Sequence, residues 1–421
     1  MPGRIFVDIA PLRDSRQFRL LFTGQLVTTL GNQLTVVAIP YQVYSETHSS
    51  LQVGAISLVQ LVPLIIGSLI GGSVGDAVDR RKLLLYTTAL LTLGSTALAV
   101  NAIAAHPSLL ALYLISVVTA GLTGFVNPAR NAVIPSLVEQ QHLVAAYAFT
   151  QVVYQVGSIV GPAISGLLID GVGLAWVYGI DAITFVLSVV TIIRLAPLPP
   201  VEGAARPGVR SIVEGLRYLR GRQALQGVFL IDINAMVFGM PRALFPALSE
   251  NVFHGGATTL GYLYAAPGVG ALLGALTTGW VSRIRRRGLA VIVAVLAWGL
   301  AIAVFGFVHV LWVALVLLAV AGWADVISAV LRNTILQTTI PDQFRSRLSS
   351  IQMAVVQGGP RLGDMESGTV AAAVSTEFSI VSGGIACIVD AVVLAGLLPG
   401  FRHQRAEELE GDVPFDGPSG E

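Results

Sequence analysis

Seven ionisable residues stand within long apolar stretches in the second half of this chain: Asp232, Arg242, Asp325, Arg361, Asp364, Glu366 and Asp390. The first half offers Asp181, with Asp76 at the edge of a stretch. A charge at the centre of a bilayer costs at least about 2.5–3.5 kcal/mol on insertion scales, so each such group needs a partner or water. Arg361 and Asp364 are spaced i, i+3 and can pair on one helix face. Arg242 and Glu366 fall at similar depth and can pair across helices, which makes Arg242 and Arg361 the intramembrane ion-pair candidates. Asp232 and Asp325 have no basic residue one turn away. A carboxylate buried alone favours its neutral form, which suits reversible protonation. Asp232 is therefore the first proton-coupling candidate, with Asp325, then Asp364 and Glu366, behind it. Asp181 and Asp390 hold matching positions in the two halves and read as structural.

Polar and aromatic residues in other apolar stretches form a substrate-cavity set: Gln25, Asn32, Gln33, Gln151, Tyr154, Gln155, Tyr262 and Tyr264. The six histidines show no ligand spacing, and no metal site, cofactor loop or nucleophile constellation stands out. The chain does not read as an enzyme. A net charge of +1 gives no footprint for nucleic acid, and the single cysteine, Cys387, excludes an internal disulfide. With no ATP-binding segment, an ion gradient is the expected energy source, and protons are the expected coupling ion.

The elements carrying these residues are membrane spans. The 421 residues are 54% hydrophobic and only 12% charged, against about 25% charged in an ordinary soluble domain. Apolar runs of about 20 residues match the hydrocarbon thickness of a bilayer, which identifies the bilayer as a partner. They predict twelve spans, at 18–44, 52–74, 83–103, 109–131, 142–168, 175–195, 224–248, 259–281, 289–307, 310–332, 348–372 and 378–399. The first run is too long for a signal-peptide core. Each span must be helical, because lipid leaves no other way to satisfy its backbone. The fold class is thus all-α, a twelve-helix membrane protein.

The arginines set the orientation. Arg13, Arg16, Arg19, Arg80, Arg81, Lys82, Arg130, Arg210, Arg283, Arg285, Arg332, Arg345 and Arg402 all fall at one set of loops and ends, whereas the opposite loops carry Glu46, His48, Asp170, Glu250 and Glu377 and no Lys or Arg. By the positive-inside rule both termini are cytoplasmic. Only Arg242 and Arg361 are left inside spans. The longest loop, 196–223, divides the chain into bundles 1–195 and 224–400, followed by a tail at 401–421. The halves echo one another: Ala120-Gly121 and Arg130-Asn131 against Ala321-Gly322 and Arg332-Asn333, Asp181-Ala182 against Asp390-Ala391, Gly72 against Gly274. Duplicated halves with a site at their interface are how many secondary transporters are built.

The segment from Gly72 through Asp76 to Arg80, Arg81 and Lys82 resembles the loop 2–3 signature of the major facilitator superfamily, with Asp79 where a glycine is usual. Gly72 and Gly75 would permit close helix approach, and Asp76, Arg80 and Arg81 would serve gating. Gly157 through Gly161, Pro162 and Gly166 resembles the antiporter motif of that superfamily, with Ser165 replacing a glycine, which adds Gly161 and Pro162 to the gating set. A closer resemblance, to the enterobactin exporter family, rests on Gln52-Val53-Gly54, on the run from Pro107 to Leu114, on Leu336-Gln337-Thr338 with Pro341, on Arg242 with Phe245-Pro246-Ala247-Leu248, and on Gly261 to Ala266. Span 11 is more charged than that family leads one to expect. The resemblance implies a major facilitator fold of two pseudo-symmetric six-helix bundles in a bacterial inner membrane. It also implies export of a small organic molecule, a siderophore first and amphipathic drugs second. Uptake, a lipid-modifying enzyme and a non-transporting sensor are the rival classes; the enzyme would need a catalytic cluster near one interface.

The arginine pattern makes a direct prediction. In intact cells, a membrane-impermeant thiol reagent will label Ser108→Cys and not Ser211→Cys; labelling of Ser211→Cys from outside would reverse the topology.

Overall fold

The computed structural model describes residues 9–199 and 209–404. Loop residues 200–208 and the tail from 405 onward lie outside the described residues, as do the side chains of Asp76, Arg210 and Ser211. The long helices are α1 (Arg16–Thr47), α2 (Ser50–Ala77), α3 (Arg80–Ile103), α4 (Leu109–Leu137), α5 (Leu143–Val172), α6 (Leu174–Ile193), α7a (Gln223–Phe238), α7b (Phe245–Asn251), α8 (Gly256–Thr277), α9 (Arg287–Phe305), α10 (Leu311–Thr339), α11 (Asp342–Ala373) and α12 (Thr376–Leu397). A linker helix, Val209–Leu219, precedes α7a. Several short loops end on a residue that accepts the first free N–H of the next helix. Ser15 accepts from Phe18, Ser108 from Ala111 and Ser375 from Phe378. Asp79, the departure from the loop 2–3 signature, caps α3 by accepting from the N–H of Arg81 at 2.9 Å.

Among the described residues, ten helical segments are long and apolar enough to cross a membrane. The remaining two, α1 and α11, have 32 residues each but more polar sequences. Both pack along other helices, α1 on α5 and α6, α11 on α2 and α7a. Such burial lets a helix carry groups that lipid would reject.

The two halves repeat one packing pattern. In the first, α2 lies along α4, α1 along α6 and α5, and α3 along α4 and α6. In the second, α8 lies along α10, α7a along α12 and α11, and α9 along α10 and α12. Small residues bring these helices to backbone contact. A side chain on Gly67 would strike the carbonyl of Gly121, and one on Gly124 that of Leu64; Gly322 does the same against Pro267 and Gly270 against Ala319. Gly72 does not share this role. Open space surrounds it, and Gly75 meets Ala129 only at ordinary contact distance. The close approach predicted for Gly72 is made by its neighbours in α2, Gly67 against Gly121 and Gly71 against the backbone of Phe125 in α4.

Several helices depart from the predicted spans, and α7, α4 and α10 do so where it matters for the charged residues. Span 7 was expected unbroken over 224–248, but α7 is interrupted between Phe238 and Phe245 by a 3-10 turn at Arg242–Leu244. Pro241 has no N–H to donate and cannot continue a helix. The backbone freed there finds other partners, as membrane burial demands: the indole of Trp298 donates to Gly239 O at 2.8 Å and the Tyr264 hydroxyl to Arg242 O at 3.2 Å. Helices α4 and α10 run beyond their predicted ends, to Leu137 and Thr339. Arg130 and Arg332, expected at span ends and in loops, are therefore inside helices.

The bundles meet along α2–α11 and α5–α8. The closest approaches lie at the end carrying His48, Asp170 and Glu250. There Gly54 abuts the backbone of Asp364, Gly368 that of Ser50, and Gly166 that of Ala257. Toward the arginine-bearing end the helices expose their sides. Ala257, Leu260 and Leu263 of α8 are buried, whereas Leu273 and Leu276 are exposed, as are Val144, Tyr147 and Tyr154 of α5.

The glycine contacts generate a paired prediction. Gly67→Val will lower the thermal unfolding temperature in detergent, since overpacking costs about 1–3 kcal/mol, whereas Gly72→Val will leave it near that of the parent; equal losses would contradict the assignment of the close approach.

Candidate substrate cavity and buried charge clusters

The charged residues gather into two clusters in the second bundle. The first joins α7a and α10. Arg332 Nη2 lies 2.8 Å from Asp232 Oδ1 and 3.8 Å from Asp325 Oδ1, and its Nη1 donates to Ser328 Oγ at 3.1 Å. Arg332 and Asp232 are 4% and 3% exposed, too little for water to replace either partner. The expectation that Asp232 and Asp325 lack a basic partner is thus overturned. Their partner sat in plain sight, seven residues after Asp325 and two helical turns along the same face, but the predicted span ended on it, so it read as a loop-side charge.

The second cluster joins α11 to the break in α7. Arg242 Nε lies 3.9 Å from Asp364 Oδ1. Asp364 also lies beside the backbone of Ala243 and the hydroxyl of Ser57, which belongs to α2 of the other bundle. The two predicted pairings are corrected. Arg361 donates to Gln357 O at 2.8 Å and stands near Arg242 and Asp364 without an ion pair to Asp364. Glu366 forms no ion pair with Arg242: two residues from Asp364 on a helix, it points away from the face that meets Arg242. The turn at Pro241 decides the outcome, because it turns the Arg242 guanidinium toward the Asp364 carboxylate.

The cavity candidates divide. Asn32, Gln151 and Tyr154 are exposed, and Gln25, Gln155 and Tyr262 partly so. Gln155 Nε2 donates across the bundle interface to Gly268 O at 3.0 Å. Gln33 is buried instead, its side chain set against Gly157 and Gly161. Tyr264 packs edge-on against Phe245, 5.2 Å between ring centres, and supports the break in α7. These two are packing residues rather than lining.

The gating candidates also have definite places. Arg80 donates to the carbonyls of Gly75 (3.2 Å) and Ala132 (3.1 Å), and Arg81 to those of Ile192 and Ile193. The basic run thereby satisfies carbonyls near the ends of α2, α4 and α6, where cations are favoured. Gly161 lets α5 seat against α1, and the Pro162 carbonyl approaches Gly261 of α8. Ser165, the departure from the antiporter motif, donates to Leu34 O at 2.8 Å and ties α5 to α1.

A further set escaped the sequence reading: a row of contacts across the bundles at one end. Asp170 on α5 accepts from the N–H groups of Ala257 (3.2 Å) and Thr258 (2.8 Å), the first turn of α8. Asn251 donates to the Tyr44 hydroxyl at 2.8 Å, and His48 lies 3.7 Å from Glu250. A carboxylate facing a helix N-terminus is a favourable electrostatic contact, but only the fold reveals that α5 and α8 meet.

Comparison with known proteins agrees with this architecture. Residues 7–419 match a family described as transmembrane secretion effector, within the major facilitator superfamily. The enterobactin exporter EntS of Escherichia coli (strain K12) is 30% identical over 399 residues, covering 95% of this chain and 96% of that protein. The EntS of Shigella boydii serotype 18 is also 30% identical over the same length. Among solved structures, a POT family transporter in complex with 5-aminolevulinic acid aligns over 92% of this chain and 97% of its own with a TM-score of 0.74 at 12% identity. The nucleoside transporter NupG aligns over 93% of this chain and 100% of its own, with a TM-score of 0.72 at 14% identity. The repeated bundles, the full-length family match and the similarity to EntS place this multi-pass membrane protein in the enterobactin exporter family of the major facilitator superfamily: it is a transporter that exports a small molecule.

Proposed function

We propose that the chain exports a siderophore-like organic molecule across a bacterial inner membrane in exchange for protons, with both termini in the cytoplasm. The observation that carries this reading is the asymmetry of the bundle interface. The bundles are latched through Asp170, Asn251 and Gly166 at one end, and α5 and α8 are exposed at the other. With the arginines cytoplasmic, the open end faces the cytoplasm, where an exporter loads. Rocking of the bundles would break the latch and expose the site outside. Gly72, Asp76, Arg80, Arg81, Gly161 and Pro162 keep their proposed part in that motion. The similarity to EntS, a named enterobactin exporter, supports the substrate class.

The cluster at Arg332 supports proton coupling. One guanidinium faces two carboxylates, and Asp232 is the nearer. With both acids ionised, one negative charge is uncompensated inside the membrane. A proton on Asp325, the farther and more exposed acid, removes it. Asp325 therefore replaces Asp232 as the favoured coupling residue, and Asp232 becomes the fixed counter-ion. Asp364 and Glu366 are the reserve candidates.

The two roles predict different losses. In everted vesicles energised by a pH gradient, Asp325→Asn will abolish enterobactin accumulation while sparing exchange of internal for external enterobactin. Asp232→Asn leaves Arg332 with only the distant acid, and breaking a buried pair typically costs about 3–5 kcal/mol, so that variant will lose stability and both activities. Gradient-driven accumulation by Asp325→Asn at the parent rate would remove it from coupling, and accumulation by the parent without a gradient would remove proton antiport.

A further inference from the structure

Arg130 and Arg332 are repeat mates. Each follows an Ala-Gly pair, precedes an asparagine and stands in the last third of its helix. Their surroundings differ in one respect. Arg332 has Asp232 from α7a and Asp325 from its own helix. Helix α4 contains no Asp or Glu, and Thr123 takes the place, seven residues before the arginine, that Asp325 takes in α10. Helix α1, which stands in the first bundle where α7 stands in the second, has a single acid, Glu46, at its far end. Among the described residues Arg130 makes no ion pair and no hydrogen bond, and no charged side chain stands beside it.

Arg130 is nevertheless placed to meet a ligand. Helix α4 packs tightly on α2 and α3 but touches α1 and α5 only lightly. Thr123, Asn127 and Arg130, spaced i, i+4 and i+7, form a polar stripe along one face and are all partly exposed. The contacts to α2 come from Gly121, Gly124 and Phe125 instead. A guanidinium held among helices at the end of a span without a counter-ion is costly. A molecule that brings a planar anionic group would relieve that cost, and the guanidinium fork suits such a group.

We propose that Arg130 is an anion-binding residue of the transport path, taking a carboxylate or ionised catechol oxygen of the cargo as the counter-ion that its repeat mate takes from Asp232. The proposal rests on the export reading above and adds the charge class of the cargo. It is tested by calorimetric titration of the protein in lipid nanodiscs with dihydroxybenzoate and with its uncharged amide, which differ in the charged group alone. The parent will bind the carboxylate about tenfold more tightly, as one charge-assisted contact allows. Arg130→Gln will abolish the preference without weakening the amide, and Arg130→Lys will keep part of it. Thr123→Asp, which supplies the missing acid, will abolish it too, and serves should Arg130→Gln fail to fold. No preference in the parent, or one unchanged in Arg130→Gln and Thr123→Asp, overturns the proposal. Enterobactin export by cells is followed in parallel. A parent that exports no enterobactin yet shows the Arg130-dependent preference upholds the anion site and overturns the siderophore reading; export with no such preference overturns the anion site alone.

Discussion

A guanidinium in hydrocarbon must have a counter-charge, and the second bundle is organised around that demand. Arg332 is held between α7a and α10 by Asp232, with Asp325 at the margin. The pair is a fixed brace between two helices that line the interior. It also concentrates two acids on one base, so that one proton more or less decides the charge of the site. The cluster at Arg242 and Asp364 obeys the same demand and sits where the backbone of Asp364 abuts Gly54 of the first bundle. Structural charge pairs and a candidate transport site are thus the same residues, as expected where polar groups inside a membrane are both expensive and useful.

The second constraint is backbone satisfaction. The break in α7 leaves polar groups that Trp298 and Tyr264 take up. An interrupted helix at the interior is a common way for transporters to expose backbone and charge at a binding site. Where the bundles meet, glycines replace side chains and the backbones nearly touch, whereas the opposite ends of α5 and α8 are clad in exposed aliphatic and aromatic residues. Contacts of the Asp170 kind are few and polar, so they can be made in one arrangement and lost in another at modest cost. A conformational equilibrium shifts only through such differential contacts.

Most of the fold was legible in the sequence, because apolar run length and arginine placement are direct consequences of the bilayer. The duplicated halves were legible through weak echoes such as Arg130 against Arg332, and the family through its motifs. The charge partners were not. Hydropathy ends a span where polar residues begin, so it ended α10 at Arg332, gave that arginine to the loop side and left Asp232 and Asp325 seemingly alone. Helical spacing suggested Arg361 with Asp364, but the turn at Pro241 brought Arg242 in ahead of it. Gln33 and Tyr264 carry polar groups that read as cavity lining, yet the glycines of α5 and the break in α7 draw them into packing. The contact of Asp170 with α8 depends on which helices become neighbours, and local sequence does not state that.

The central claim is that the latch between α5 and α8 must open for transport. The most direct measurement is enterobactin export by Asp170→Cys/Thr258→Cys, a pair placed across that latch, before and after oxidation, with the native Cys387 buried out of reach. The account predicts that the cross-linked protein exports nothing and that reduction restores it. Export at an undiminished rate by fully cross-linked protein would contradict it.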